Sequence, residues 1–211
     1  MRAFRIWRRA LSNRWSREEA GRFIRFVQER YEALRRRQRW PVKRKLAWHL
    51  DEFILPGLAL YQELQATGLA REEAFCLATE LFAAWAGGLR KRYARLGRLP
   101  FFFSLLRAVV RVKIKLDYPS AGWDTEWLEV SGDRIAFNMR RCFYHDIMME
   151  HRTPELTRLF CGYDDLLFEK MSPCVRWQRT QTIANGGSLC DFRFEYVRRG
   201  QRRKPLQGET G

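Results

Sequence analysis

Residues 123–139 read WDTEWLEVSGDRIAFNM. Two runs rich in aromatic and β-branched residues flank Ser131-Gly132-Asp133, a short polar turn, and this pattern predicts a β-hairpin with strands over 123–130 and 134–139. A helix is expected next, from Arg141 to His151. Thr153-Pro154-Glu155 then opens another, with threonine at the N-cap, proline at the first helical position and an acid in the first turn. Pro173 follows its end. Two further strands, 174–184 and 189–197, are joined by Asn185-Gly186-Gly187-Ser188, whose glycines can take positive φ. The order ββααββ makes this half α+β, one antiparallel sheet covered by helices.

Upstream of the hairpin the chain reads as helical. Ser16-Arg17-Glu18-Glu19 is a capping box, and Ala20, Phe23, Ile24, Val27, Tyr31 and Leu34 follow at helical spacing. Phe4, Trp7, Leu11 and Trp15 extend a similar stripe among arginines. Such a basic helix either packs its stripe on the body or lies on an anionic membrane surface, and packing is the favoured expectation. Trp40-Pro41 breaks the pattern. A second helix is expected over 45–64, kinked or split by Pro56, with Gly68 as its C-cap. A third, over 71–96, carries Phe75, Ala78, Phe82, Trp85 and Leu89 on one face, with Cys76 read as a small core residue beside them. Pro100 and Phe101–Phe103 are read as the start of a connection.

The 211 residues carry a formal net charge of +16. That charge is not uniform. Residues 1–45 hold 16 Lys/Arg against four acids and residues 197–211 five against one, while 46–196 balance 19 against 19. The expected organisation is a basic helical extension over 1–45, an α+β body over 46–196 forming one compact unit, and a basic disordered tail over 197–211. A dedicated nucleic-acid fold would set its basic stripe on the body, so no specific nucleic-acid partner is expected. With 46% hydrophobic residues and eight tryptophans, disorder of the whole chain is excluded. No stretch of about 18 apolar residues and no signal-like segment occurs, and the expectation is a cytoplasmic protein with reduced thiols.

Five cysteines are present: Cys76, Cys142, Cys161, Cys174 and Cys190. Cys142 and His145 are three apart on one expected helix; Cys161 and Asp164 are three apart on the next, with Asp165 at four. Cys190 begins the last strand and shares a face with Phe192 and Phe194, while Asp191 points the other way with Arg193. If both helices cover the sheet, three cysteines converge. A cysteine near His and Asp can act as a nucleophile. Three cysteines could instead bind zinc or iron, although no C-x2-C pair is present, and buried cysteines are often inert. Spacing leaves all three readings open.

A wider pattern narrows them. Cys142-Phe143-Tyr144, Pro154-Glu155-Leu156, Phe160-Cys161-Gly162-Tyr163-Asp164, Arg179-Thr180-Gln181-Thr182-Ile183-Ala184, Gly186-Gly187 and Cys190-Asp191-Phe192-Arg193-Phe194 occur in this order. In that order they resemble the L-2-amino-thiazoline-4-carboxylic acid hydrolase family. The likeness is strong over 127–196 and weaker over Leu55-Pro56, Leu60-Tyr61 and Glu72-Glu73-Ala74. Each element alone is common; the combination is quite specific.

The resemblance implies hydrolytic opening of a cyclic amidine to a carbamoyl-cysteine, with no cofactor required, and a functional role for Cys142, Cys161 and Cys190. The electrophile is the carbon between ring sulfur and nitrogen. Cys161 could attack it, or Asp164 could activate water or hold the amidinium. Arg179 could clamp the carboxylate, and His145 could protonate the leaving group. Thr180, Thr182, Cys190 and Asp191 are candidate substrate contacts. The alternative is a non-catalytic sensor in which Cys142, Cys161 and Cys190 bind a metal or small ligand.

Overall fold

The computed structural model describes residues 1–41 and 43–198. Helix α1 (Arg2–Leu11) has neither a capping side chain nor an acid in its first turn; what holds it is its stripe. Phe4, Trp7 and Leu11 are buried, with Trp7 against Phe82 at 5.4 Å and Phe4 edge-on to Tyr31 at 5.6 Å. Burying a side chain of this size stabilises by about 1.5–3 kcal/mol. The stripe is therefore interior, and the arginine face is what α1 shows to solvent. Helix α2 (Arg17–Arg37) starts at the expected capping box: the Glu19 amide donates to Ser16 Oγ at 3.2 Å and the Ser16 amide to Glu19 at 2.9 Å.

Part of the N-terminal charge is matched within the fold. Arg14 pairs with Glu80 at 2.7 Å, Arg30 with Glu63 at 2.6 Å and Arg35 with Asp51 at 3.1 Å. Most of the arginine side chains concerned are half exposed, so each pair contributes orientation more than stability.

The expected helix is divided just before Pro56. Helix α3 (Arg44–His49) passes through a π-helical turn, Leu50–Ile54, into α4 (Leu55–Ala66), where Pro56 stands at the first turn. A proline cannot donate to the preceding turn, and the wider π turn absorbs that missing bond without ending the helix. Gly68, at φ 91°, follows α4 in the left-handed conformation that closes a helix. Helix α5 (Arg71–Leu96) has the expected limits. Cys76 does not: it is exposed, because it falls one step outside the arc of Ala74, Leu77, Ala78 and Leu81 that is buried.

The segment after Pro100 is a helix, α6 (Phe102–Asp117), rather than a connection. Phe103, Leu106, Val110 and Ile114 recur at 3–4 residue spacing, a helical period that its many β-branched residues obscure.

The sheet follows. Strands β1 (Trp123–Val130) and β2 (Arg134–Cys142) form the expected hairpin, closed by the Ser131 amide donating to Arg134 O at 2.8 Å. Helix α7 (Phe143–Glu150), a 3-10 turn (Pro154–Leu156) and α8 (Thr157–Phe168) come next, then β3 (Val175–Gln178) and β4 (Cys190–Tyr196). Thr153 caps no amide; its hydroxyl lies 3.7 Å from Met148 Sδ. The order is β1-β2-β4-β3, antiparallel throughout.

Register pairs Ile135 with Phe194, Phe137 with Phe192 and Met139 with Cys190. These side chains share one face, with Phe137 stacked on Phe192 at 4.8 Å. Strand β3 stops well short of the expected 184. A single carboxylate explains this: Asp191, on the opposite face, accepts from the amides of Thr180 and Gln181 at 2.9 and 2.8 Å and from the Thr180 hydroxyl at 2.9 Å. It takes the donors a ladder would have used, and the chain turns into a 3-10 turn (Ile183–Asn185) ending at Gly186, φ 84°. The basic tail expected over 197–211 lies, from 199 on, outside the described residues.

Candidate functional site

Between α6, α8 and the aromatic face of the sheet lies a cavity of about 280 Å3. Cys142, Cys161, Cys190, Asp164 and Arg179 all line it. They come from separate elements: Cys142 from the end of β2, Cys161 and Asp164 from one face of α8, Arg179 from the segment after β3, and Cys190 from the start of β4. Convergence of the three cysteines is thus observed, with one change of position. Cys142 is a strand residue, paired with Trp123, at the point where β2 becomes α7. It does not share a helix face with His145.

Arg179 is fixed from several sides. Its guanidinium donates to Asp165 Oδ2 at 2.6 Å and to the Cys161 carbonyl at 2.9 Å, and lies 3.6 Å from Asp164 Oδ2. Its plane also faces the rings of Trp177 and Phe192 at 5.6 and 5.7 Å. Burial disfavours its charge, but the two aspartates more than offset this. Asp165 in turn accepts from Trp177 Nε1 at 3.1 Å. Nη2 is thus committed within the protein, while Nη1 faces Asp164 at 3.6 Å.

Asp164 is different. Among the described residues its only close partner is Arg179 at 3.6 Å, beyond hydrogen-bond range. Burial raises its carboxyl from 3.8 to about 7; Arg179 opposes that rise and Asp165 adds to it. A carboxyl near 7 can both take and give a proton at neutral pH. The thiols move the other way from reactivity. Burial, then Asp164, pushes Cys161 well above the ordinary thiol range, with Arg179 only partly opposing. Burial pushes Cys142 up to about 12, the His145 and Tyr144 amides notwithstanding. Cys190 is also raised by burial, although its sulfur accepts from the Ile183 amide at 3.3 Å. All three are neutral thiols.

Two neighbouring spaces share this wall. A cleft of about 190 Å3 adjoins the cavity through Asp164, Lys113, Asp117 and Tyr144, which line both. An outer groove of about 340 Å3, lined by Arg158, Thr180, Gln181 and Thr182, meets it at Cys161 and Arg179. The cleft contains residues that sequence reasoning passed over. His49 is buried and bridges the Tyr144 hydroxyl at 2.8 Å and the Asp117 carbonyl at 2.6 Å. Burial, then Lys45 and Lys113, drives its pKa down to about 3, so it is neutral. Lys45 and Lys113 both pair with Asp117. Two cations on one carboxylate leave a positive charge at the cleft. One of only three histidines, set beside Trp48, was the available signal for this corner.

The remaining sequence candidates lie outside the cavity itself. His145 is bonded to Thr157 Oγ1 at 3.3 Å and is not among the residues lining these spaces. Thr182 is buried and caps the 3-10 turn through the Asn185 amide at 3.2 Å. Asp191 is buried on the far face of the sheet, and Arg193 there serves the Phe137 carbonyl and Asn138 Oδ1, both at 2.8 Å. Cys174 is buried, with its amide on Ser172 Oγ at 3.1 Å. Among the described residues no group of three or more His, Cys, Asp or Glu side chains is arranged to hold a metal ion, and no helix is long and apolar enough to cross a membrane.

A helical layer over a four-stranded antiparallel sheet makes this an α+β protein, with a carboxyl raised towards neutrality in the cavity between the layers. The chain belongs to the L-2-amino-thiazoline-4-carboxylic acid hydrolase family, whose model matches residues 49–194. That match starts at His49 and takes in every residue of the cavity's polar end. Comparison with curated proteins gives no match. Among solved structures, the Fe(II) unliganded H-NOX protein from K. algicida aligns over 98% of both chains at 10% identity, with a TM-score of 0.37, too low to indicate a shared fold.

Proposed function

We propose that this cavity hydrolyses a cyclic amidine of the 2-amino-thiazoline-4-carboxylate type, opening the ring to a carbamoyl-cysteine. One observation carries the reading: Asp164, a carboxyl near 7 with no hydrogen-bonded partner among the described residues, lines the cavity together with Arg179 and three neutral thiols. Family membership supports the reaction class.

Asp164 in its ionised form takes a proton from water, whose oxygen adds to the carbon between ring sulfur and nitrogen. The tetrahedral intermediate collapses with loss of the C–S bond; its hydroxyl proton passes to the ring nitrogen, which becomes the ureido N–H, and Asp164 returns the first proton to the departing sulfur. One carboxyl suffices for both transfers because its pKa lies between its two tasks. The neutral thiols of Cys142, Cys161 and Cys190 line the reacting space and shape it; water is the nucleophile. Arg179, committed to Asp165 and the Cys161 carbonyl, is a positioning residue that keeps the Asp164 pKa from rising further. The substrate carboxylate goes to Lys113 and Lys45, which share one acid between them.

The test is incubation of purified protein with 2-amino-thiazoline-4-carboxylate, with mass-spectrometric detection of carbamoyl-cysteine and Asp164→Asn as the control. Product formed by the wild type and lost in the variant is expected. No product, or equal rates, overturns the reading.

A further inference from the structure

The polar groups of the site are gathered at one end of it. Asp164, Lys113 and Asp117 line both the 190 Å3 cleft and the 280 Å3 cavity, so they mark the junction between the two. A small zwitterion such as 2-amino-thiazoline-4-carboxylate satisfies its charges there. Beyond the junction the cavity continues between α6 and the sheet, walled by Phe102, Leu106, Val110, Phe137, Met139 and Phe194. Among these wall residues no side chain offers a hydrogen bond to a charged ligand. The whole cavity, polar end included, has nearly twice the roughly 150 Å3 of an apolar cavity that stays dry and binds benzene, which leaves room for a ring in its apolar part. Water gains little in such a space, while an apolar group gains contact on every side.

We infer that the ligand of this site carries an apolar substituent, of about the size of a phenyl ring, which fills the chamber under α6 while the amidine meets Asp164. This rests on the reading of Asp164 as the amidine-directed group. It names the substrate class as a cyclic amidine with a hydrophobic substituent, for which the unsubstituted thiazoline is a minimal analogue.

The experiment compares 2-amino-thiazoline-4-carboxylate with its 5-phenyl derivative, by calorimetric Kd and by kcat/KM. The phenyl compound is expected to bind about tenfold or more tightly. Leu106→Trp, which fills the chamber from α6, should erase that advantage and leave the parent compound's Kd unchanged. A measurement on the wild type alone guards against misfolding of the variant: toluene at saturation should raise Tm. Equal or weaker binding of the phenyl compound, or no Tm shift with toluene, overturns the inference whatever the turnover. If toluene raises Tm and the phenyl compound binds more tightly but neither thiazoline is hydrolysed, the chamber stands as a ligand site and the hydrolase reading falls.

Discussion

Replacing Asp164 by asparagine should stabilise the protein at alkaline pH while removing its activity. The carboxyl is raised from 3.8 to about 7 by burial, so the folded state holds a proton that the unfolded state releases. Between those two values the unfolded chain binds fewer protons, and stability therefore falls as pH rises, levelling off above about 7. About three units at ~1.4 kcal/mol each gives about 4 kcal/mol. The Asp164 side chain retains 28% exposure, which reduces the expected gain to about 2–4 kcal/mol, or roughly 5–10 °C in Tm for a chain of this length. Arg179 keeps a counterion in the variant, because Asp165 stays at 2.6 Å. His49 supplies an opposite slope: its pKa, lowered to about 3, makes stability rise with pH up to the ordinary histidine value near 6.5. The two slopes oppose each other in the wild type, and the variant should expose the histidine limb. Urea unfolding of both proteins at pH 4, 6 and 8.5 reads this directly. A variant less stable than wild type at pH 8.5, or a difference that does not change with pH, refutes the argument.

Three further outcomes follow from the same geometry. Cys161→Ser should retain turnover within about tenfold, since a neutral thiol is replaced by a hydroxyl of similar size; complete loss in steady-state assays would restore the cysteine as nucleophile. Trp7→Ala should cost about 3–5 kcal/mol in chemical denaturation. Trp7→Phe should cost well under half of that, because the indole Nε1 has no hydrogen-bond partner to lose among the described residues. Gly97→Ala should be strongly destabilising by thermal melting, since an added methyl would overlap the Met171 carbonyl oxygen; a Tm within a degree or two of wild type would contradict the close approach.

The elements read correctly from sequence are those with local signals. The Ser131-Gly132-Asp133 turn, the Ser16–Glu19 capping box and Gly68 each act within a few residues, so their consequences are local too. Helix α6 went unread because β-branched residues and a run of phenylalanines mask a helical period that only packing over the sheet enforces. Strand β3 was overextended because Thr180 and Thr182 are good strand formers; what halts the ladder is Asp191, eleven residues from Thr180, and no local rule reports it. Helical spacing misplaced Cys142, since three residues separate it from His145 whether or not both are helical. Alternation did place Asp191 opposite Cys190. The convergence of Cys142, Cys161, Cys190, Asp164 and Arg179 was reachable from topology, whereas His49 and Lys113 enter the site through tertiary contacts alone.

Asp191 acts like a pin through a hinge. On the side of the sheet away from the cavity it fastens residues 180 and 181 by three hydrogen bonds, and the residue just before them is Arg179. That strap fixes the backbone next to Arg179, whose guanidinium bonds Asp165 and the Cys161 carbonyl. The acidity of a group inside the cavity is thus set partly from the reverse side of the sheet. Withdrawing the pin would slacken the strap, carry Arg179 away and let the Asp164 pKa climb, with no cavity-lining side chain altered.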